Sequence, residues 1–404
     1  MKLWAKGDGS GAQVPPSVEA FLAGDDPWLD LRLAPYDLKA SGAHAEMLGA
    51  IGVLSADEVQ LLKTGLDSLA VAHERGELQL TAADEDIHTL IERRLTESLG
   101  EVGKKIHTGR SRNDQVLVAL RLHAREAGSR IGDAMEALRD AIQARVDADG
   151  DQELPGYTHM QQAMPNTVAQ WLGAYLAALH DDRALLDAVL GIQDQNPLGS
   201  AAGYGSPMPL DRDHTTRALG FARVQENPIY CQNSRGKFEA SLVFACANLG
   251  STLNRLASDL MLYTTAEFAF FSLPPELTTG SSIMPQKRNS DVLELVRART
   301  ASLPGLVVQL QSMVHNLPSA YNRDYQELKA PYFRAVDQIE GCLEVMVHVI
   351  AGVRLNPAAI QARTDPSIHA THAAFDLVRG GMSFRDAYRE IGRRLAEGRP
   401  LRDP

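Results

Sequence analysis

The sequence is poor in cysteine and in aromatic residues. Only three of its 404 residues are cysteine, and 6% are aromatic. The cysteines, Cys231, Cys246 and Cys342, are odd in number and widely spaced, which excludes a disulfide framework and a cysteine-based metal site. Cys246 and Cys342 lie within apolar helical patterns, so we expect them in a hydrophobic core. This sparse use of cysteine is typical of a cytoplasmic protein.

Long apolar runs and an excess of positive charge are also missing. No segment has the length and apolar character of a membrane span, and the first residues lack the apolar stretch of a signal peptide. The formal net charge of −11 argues against a nucleic-acid partner. Anionic small molecules stay possible, because a local cluster of arginine and lysine can override the global sign.

Convincing strand alternation is absent, whereas helical patterns are frequent. Ser55 begins a capping box, which predicts a helix ending near Gly76, and a second helix is predicted over residues 84–98. Apolar residues four and three apart in the longer patterns are typical of helices packed in a bundle. The sequence therefore predicts an all-α protein. The longer patterns cover residues 115–149, 166–193, 237–272, 291–316 and 331–353.

A polar loop, Gly280 to Asn289 with the sequence GSSIMPQKRN, precedes one of these patterns. Gly280 lets the backbone bend, and Pro285 stiffens the middle of the loop. The following helix would present its positive end to the loop side chains, which is where a developing anion is stabilised. The alternative is an ordinary helix-capping loop.

Three further polar segments flank long helical patterns in the same way. Residues 108–116 read TGRSRNDQV, residues 156–161 read GYTHMQ, and residues 321–327 read YNRDYQE. Arginines such as Arg110 and Arg112 can hold carboxylates through two parallel hydrogen bonds. Taken singly, these segments also fit a solvated cap, an ordinary loop histidine and a polar connector.

Together the four segments resemble the motifs of the fumarase/aspartase superfamily and, within it, the argininosuccinate lyase family. The similarity runs in order from about Asp26 to the last helix, which is far more specific than one motif. It implies an all-α, three-domain fold: an N-terminal helical domain (1–104), a central long-helix bundle (105–352) and a shortened C-terminal helical domain (353–404). It also implies a homotetramer whose active sites are shared between subunits.

The resemblance further implies the site residues. The catalytic ones are His159, Ser281, Lys287 and Glu294, of which His159 and Ser281 divide the two proton transfers and Glu294 orients His159. Which of the two is the base stays open at this point. The substrate-binding residues are Arg112, Asn113, Thr158, Asn289, Tyr321, Gln326, Lys329, Ser111 and, with weaker support, His88.

The implied reaction is the reversible β-elimination of argininosuccinate to L-arginine and fumarate, the last step of arginine biosynthesis. It needs no metal or organic cofactor. After a base removes the proton, fixed positive groups must stabilise the dianionic carbanion, and Lys287 and Asn289 suit that task.

The chain departs from the family pattern at three places. Asp26 stands where the family usually has serine, Gln162 replaces arginine, and Asn233 to Gly236 keeps only the arginine of Ser-Asp-Arg-Asp. Because these positions face the substrate, another fumarate-releasing lyase of the adenylosuccinate, aspartate or modified-citrulline-succinate type is an alternative. A non-enzymatic role is a further alternative, since the family includes a lens structural protein.

Overall fold

The structure is a computed structural model that describes residues 15–80 and 84–402. Within these residues the chain is mainly helical, as the sequence predicts. The α-helices are α1 (Pro16–Ala23), α2 (Asp26–Leu31), α3 (Ala34–Ala50), α4 (Ala56–Glu74), α5 (Ile87–Leu99), α6 (Glu101–Lys104), α7 (Arg112–Asp149), α8 (Val168–Gln193), α9 (Arg212–Leu219), α10 (Pro228–Asn233), α11 (Lys237–Tyr263), α12 (Asp291–Val314), α13 (Lys329–Gly352), α14 (Pro357–Arg363), α15 (Ala370–Arg379) and α16 (Phe384–Ala396).

No strand was predicted from the sequence, and here the structure corrects the prediction. Short strands form four two-stranded sheets. The longest sheet is an antiparallel hairpin of β1 and β2, whereas the other strands have two residues each. The strands are β1 (Glu153–Thr158), β2 (Gln161–Thr167), β3 (Gln195–Asn196), β4 (Arg223–Val224), β5 (Phe271–Ser272), β6 (Thr279–Gly280), β7 (Arg288–Asn289) and β8 (Arg354–Leu355).

Most predicted helix boundaries agree with the structure within a few residues. The capping box before α4 is present: Ser55 Oγ accepts a hydrogen bond from the Glu58 amide at 3.2 Å, and the Glu58 carboxylate accepts one from the Ser55 amide at 3.0 Å. The pattern over 237–272 was too long, because α11 ends at Tyr263. None of the helices within residues 15–80 and 84–402 is long and apolar enough to cross a bilayer.

The chain divides into two compact units. Unit 1 comprises residues 1–131, 184–247 and 302–338, and unit 2 comprises residues 132–183, 248–301 and 339–404. The boundaries fall within α7, α8, α11, α12 and α13, so each of these helices contributes one part to each unit. The division into domains at residues 104 and 352 stays a prediction.

The core of unit 1 contains apolar side chains of α3, which was not predicted, and of the predicted helices α4 and α5. Leu48, Leu62 and Leu90 are fully buried there in one cluster. A second cluster joins α3 and α7 through Ala40, Val118 and other buried side chains. These clusters fix the start of α7, which carries several predicted site residues.

Unit 2 contains a cluster of aromatic rings and a C-terminal helical hairpin. Trp171 packs edge-on against Tyr263 with ring centroids 5.2 Å apart, and Tyr263 stacks on Phe271 at 6.2 Å. Helices α15 and α16 pack through Ala387, Ile391 and small residues of α15. All three cysteines of the chain are buried and none forms a disulfide, and the burial confirms the expectation for Cys246 and Cys342.

Candidate active site

Unit 1 contains a polar cavity at the start of α7. The structure brings most of the predicted substrate-binding residues to this cavity, whose lining also includes residues outside that predicted set. The predicted ones are His88, Arg112, Asn113, Tyr321, Gln326 and Lys329, and the additional ones are Asp26, Asp30, Glu85, Asp86, Val116, Arg235 and Arg323. Ser111 adjoins the cavity in sequence but does not line it.

The turn before α7 is ordered by its own polar side chains. Ser111 Oγ accepts a hydrogen bond from the Asn113 amide at 3.3 Å, and the Ser111 amide donates to Asp114 at 3.0 Å. Asp114 also accepts hydrogen bonds from the amides of Gly199 and Ala201 at 3.0 and 2.9 Å. Ser111 therefore acts in the structure as part of a helix cap, which holds Arg112 and Asn113 at the cavity.

Arg112 is already paired with acidic residues in the structure. Its Nη1 lies 2.7 Å from Glu85 Oε2, and its Nε lies 3.4 Å from Asp86 Oδ2. Burial lowers the pKa of Arg112, but the carboxylates of Asp86 and Glu85 outweigh it and raise that pKa overall. A substrate carboxylate at Arg112 would therefore compete with Glu85.

Lys329 lies between two carboxylates at the buried end of the cavity. Its Nζ is 2.7 Å from Asp26 Oδ1 and also contacts Asp30. Burial raises the pKa of Asp26 to about 6, although Lys329 opposes the shift. Burial lowers the pKa of Lys329, but Asp30 and Asp26 outweigh it, so the net shift is upward and Lys329 is a cation.

His88 lines the same cavity, and its imidazole contacts the buried carboxylate of Asp37. Its Nδ1 lies 3.1 Å from Asp37 Oδ2, and Arg110 Nη2 lies 3.6 Å from Asp37 Oδ1. Burial lowers the pKa of His88, but Asp37 outweighs it and raises that pKa overall. Arg110 is itself buried and donates a hydrogen bond to Ser41 at 2.8 Å, so it supports this network rather than facing the cavity.

Two neighbouring positions have roles in holding the backbone. Gln326 donates hydrogen bonds to the carbonyls of Leu22 at 3.0 Å and Ala23 at 3.4 Å. Asn233, one of the departures from the family pattern, accepts from the Ala320 amide at 2.9 Å. Asn233 thereby fixes the backbone next to Tyr321, which is 42% exposed.

Sequence reasoning missed several of the charged residues in this cavity. Asp30 lies four residues after Asp26 on α2, and that spacing places both carboxylates on one helical face. Of the acidic segment that begins α5, only His88 was among the predicted site residues, yet Glu85 and Asp86 also line the cavity. Their contacts with Arg112 and Arg323 join distant parts of the chain, for which the sequence carries no local signal.

His159 lies in unit 2, at the tip of the hairpin formed by β1 and β2. Thr158 pairs with Gln161 across the hairpin, so His159 and Met160 form a two-residue turn. Their φ angles of 52° and 62° are left-handed, as in the turns that best match strand twist. This conformation costs roughly 1–2 kcal/mol for each non-glycine residue. The hairpin and the Gln162 side chain, which bonds to the backbone at Arg363 and Asp365, hold the turn.

Ser281 lies in unit 2 at the start of a loop closed by β6 and β7. Its Oγ accepts hydrogen bonds from the amides of Ile283 at 3.3 Å and Met284 at 3.1 Å. Asn289 closes the loop through long hydrogen bonds to Thr279 and Gly280, at 3.4 and 3.5 Å. Both amides donate to the serine oxygen, and backbone donors of this kind stabilise negative charge on an oxygen.

Lys287 and Glu294 are exposed in the structure. No ion pair within the described residues joins either of them to an opposite charge, and Glu294 makes none with His159. The orientation of His159 by Glu294 therefore stays a prediction. Lys287 stands six residues after Ser281 in the same loop, and its amide donates to the Met284 carbonyl at 3.1 Å.

Thr158 lines a second, mostly apolar cavity in unit 2. The polar groups of this cavity include Asp259, which accepts hydrogen bonds from Trp171 Nε1 at 2.9 Å and Tyr175 Oη at 2.6 Å. His159, Ser281 and Lys287 do not line it. No group of three or more His, Cys, Asp or Glu side chains in residues 15–80 and 84–402 is arranged to hold a metal ion.

The chain is similar to a family of lyases and to individual relatives over nearly its whole length. A family model described as lyase matches residues 22–305. The argininosuccinate lyase of Thermotoga neapolitana is 43% identical over 390 residues, which cover 96% of this chain and 97% of that protein. The argininosuccinate lyase of Stenotrophomonas maltophilia is 43% identical over 387 residues, which cover 96% of this chain and 89% of that protein.

Solved structures share the fold. An EDDS lyase crystallised with formate has a TM-score of 0.81 and 27% identity, covering 96% of this chain and 78% of that one. A class II fumarase from Schistosoma mansoni has a TM-score of 0.80 and covers 96% and 91%, but its 16% identity supports the fold alone. The family match and the near-full-length relatives show that this chain belongs to the argininosuccinate lyase family.

Proposed function

We propose that this protein is an argininosuccinate lyase that splits argininosuccinate reversibly into L-arginine and fumarate, in the last step of arginine biosynthesis. The observation that carries the proposal is the 43% identity to an argininosuccinate lyase across 96% of this chain and 97% of that protein. Retention of His159, Ser281, Lys287 and Glu294 supports an active enzyme over a purely structural role.

Ser281 is the proposed base. A serine hydroxyl is a poor base unless its anion is stabilised. The amides of Ile283 and Met284 donate to Ser281 Oγ, and hydrogen bonds to the charged form of a group lower its pKa. Ser281 then takes the proton from the carbon next to one carboxylate of the succinyl group.

His159 is the proposed acid. As the carbon–nitrogen bond breaks, the departing nitrogen needs a proton, and an imidazolium supplies one near neutral pH. Lys287 and Asn289 stabilise the carboxylate on which negative charge develops before the bond breaks. In this proposal the Glu294 carboxylate orients His159 and stabilises its protonated form.

The cavity of unit 1 is the proposed site for the amino-acid end of the substrate. Its lining has charges of both signs, including Lys329, Arg235 and Asp26. Thr158 and Ser111 complete the proposed contacts, Thr158 beside His159 and Ser111 through its cap on the start of α7.

The proposed assembly is a homotetramer with sites shared between subunits. Apolar side chains on the long helices are exposed in the single chain: Ile192 is 53% exposed, Leu295 52% and Val308 61%. Exposed apolar residues on long helices favour burial against further copies. The proposed location is the cytoplasm, because the cysteines are few and form no disulfide.

A panel of succinyl compounds tests the proposed reaction. Fumarate release is measured with argininosuccinate, adenylosuccinate, aspartate and EDDS, the last because of the structural similarity to EDDS lyase. We expect kcat/KM for argininosuccinate to exceed the others by at least about 100-fold, as is common where a site pairs polar groups with its substrate. Preference for another compound would assign the protein to a sister activity.

A further inference from the structure

The charges of Lys329, Asp26 and Asp30 do not cancel. Asp30 contacts Lys329 and also accepts a long hydrogen bond from the Ile87 amide at 3.4 Å. Asp26 lies 2.7 Å from the same ammonium through Oδ1. Two carboxylates around one ammonium leave one negative charge in surplus.

Asp26 is the carboxylate that presents the surplus negative charge to the cavity. Both carboxylates line the cavity, but the Asp26 side chain is 15% exposed and that of Asp30 only 3%. Among the described residues, none donates a hydrogen bond to Asp26 Oδ2. A partly buried carboxylate oxygen without a donor is an acceptor that a ligand can use.

Arg235 lines the same cavity and forms no salt bridge within the described residues. It is 3% exposed, and its Nη2 donates to the Tyr325 carbonyl at 3.0 Å. Its Nε is buried without a hydrogen-bond partner. No ion pair within the described residues joins Arg235 to a carboxylate. Its charge is close enough to act on Asp26, because it lowers the pKa of that carboxyl.

We infer that Asp26 is a specificity-determining residue that recognises the free α-ammonium group of the substrate's amino-acid end, while Arg235 faces its α-carboxylate. A surplus carboxylate and an unpaired guanidinium in one cavity match the two opposite charges of a zwitterionic α-amino acid. An N-acylated amino acid would leave Asp26 Oδ2 without a donor, and a partly buried acceptor that is neither hydrated nor hydrogen-bonded is costly. The inference rests on the proposed function for the reaction but concerns only ligand recognition.

Product binding tests this inference without turnover. L-Arginine, Nα-acetyl-L-arginine and agmatine, which lacks the carboxylate, are titrated calorimetrically into the full-length protein. We expect the unmodified protein to bind L-arginine about 10- to 100-fold more tightly than either analogue, which is the usual range for one lost charge contact. Asp26→Asn should weaken L-arginine binding by a similar factor and leave the affinity for Nα-acetyl-L-arginine unchanged.

Asp25→Asn is the matched control. Asp25 is the adjacent acid, its side chain caps no amide, and it does not line the cavity. This variant should bind all three compounds like the unmodified protein. If Asp26→Asn weakened L-arginine and Nα-acetyl-L-arginine equally, Asp26 would only hold Lys329 in place and the inference would be overturned.

Turnover separates the inference from the proposed function. With argininosuccinate, Asp26→Asn should raise KM by the same 10- to 100-fold factor and change kcat by less than about threefold. Fumarate release that fails in every variant, with amine-dependent arginine binding intact, would remove the proposed reaction and keep the inference. Normal fumarate release with equal affinity for L-arginine and its two analogues would keep the proposed reaction and overturn the inference.

Discussion

At the scale of single residues, the proposed chemistry depends on two side chains held in unusual places. His159 occupies a left-handed hairpin turn, and Ser281 Oγ receives two amide hydrogen bonds. We expect His159→Asn and Ser281→Ala each to lower kcat by at least about 100-fold, the common effect of losing a general acid or base. Ser282→Ala, at the exposed neighbouring serine, is the control and should keep kcat near normal. A near-normal kcat in either test variant would exclude that residue from the mechanism.

Lys287 gives a second test at this scale. Its side chain is exposed in a polar loop, so folding should not depend on it. Lys287→Met should abolish fumarate release and change the free energy of unfolding by no more than about 0.5 kcal/mol. Chemical denaturation alongside the activity assay checks both expectations. A large loss of stability together with lost activity would identify Lys287 as a structural residue.

The buried pair of Asp37 and His88 predicts a pH-dependent contribution to stability. The pKa of Asp37 is lowered overall, because His88 and Arg110 outweigh burial, so its contribution is lost as pH falls through that lowered value. The pKa of His88 is raised, so its contribution is present below its ordinary value of 6.5 and is lost as pH rises through the raised value.

Asp37→Asn should therefore be most destabilising between about pH 4 and 6.5, between the ordinary pKa values of the two groups. Breaking a buried ion pair costs about 3–5 kcal/mol. Denaturant unfolding of both proteins across the pH range measures the difference. A difference that stays constant with pH would show that the pair makes no charge-dependent contribution.

At the scale of elements, the helices were predictable and the short strands were not. Apolar spacing and caps such as Ser55 act within a few residues, so the sequence carries them locally. β5 pairs with β8 about 80 residues away, at Phe271 and Leu355, which no local pattern reveals. In β1, Pro155 and Gly156 interrupt the alternation, and the turn residues His159 and Met160 are not typical turn formers.

The candidate site was predictable to a similar extent. Family motifs at the helix starts identified Arg112, Asn113 and Lys329, and the structure brings these to one cavity. The salt bridges that fill the cavity were not predictable, because Asp26 and Lys329 are about 300 residues apart in the sequence. Charge pairing across such distances depends on the fold and not on local spacing.

The loop from Gly280 to Asn289 predicts a change of mobility on ligand binding. Ile283 is 83% exposed, and the loop has few backbone hydrogen bonds between its closing strands. We expect rapid amide hydrogen exchange over residues 281–287 without ligand and clear protection when argininosuccinate is bound to the inactive Ser281→Ala variant. Protection of the same amides in the ligand-free protein would contradict this expectation.

At the scale of the whole molecule, the proposed shared sites have an arithmetic consequence. Equal amounts of inactive His159→Asn and Ser281→Ala protein are mixed, and the subunits are allowed to exchange. If each site draws the two residues from different chains at random, about a quarter of the sites regain both, and activity should reach roughly a quarter of normal. No recovery after verified exchange would mean that each site forms within one chain.

The most direct test of the proposed function measures both products from one substrate. Purified protein is supplied with argininosuccinate, and fumarate and L-arginine are quantified over time beside the Ser281→Ala variant. The account predicts that the two products appear in equal amounts and at equal rates, and that the variant produces neither above about 1% of that rate. Absence of both products from the unmodified protein, or fumarate without arginine, would contradict the assignment of this chain as an argininosuccinate lyase.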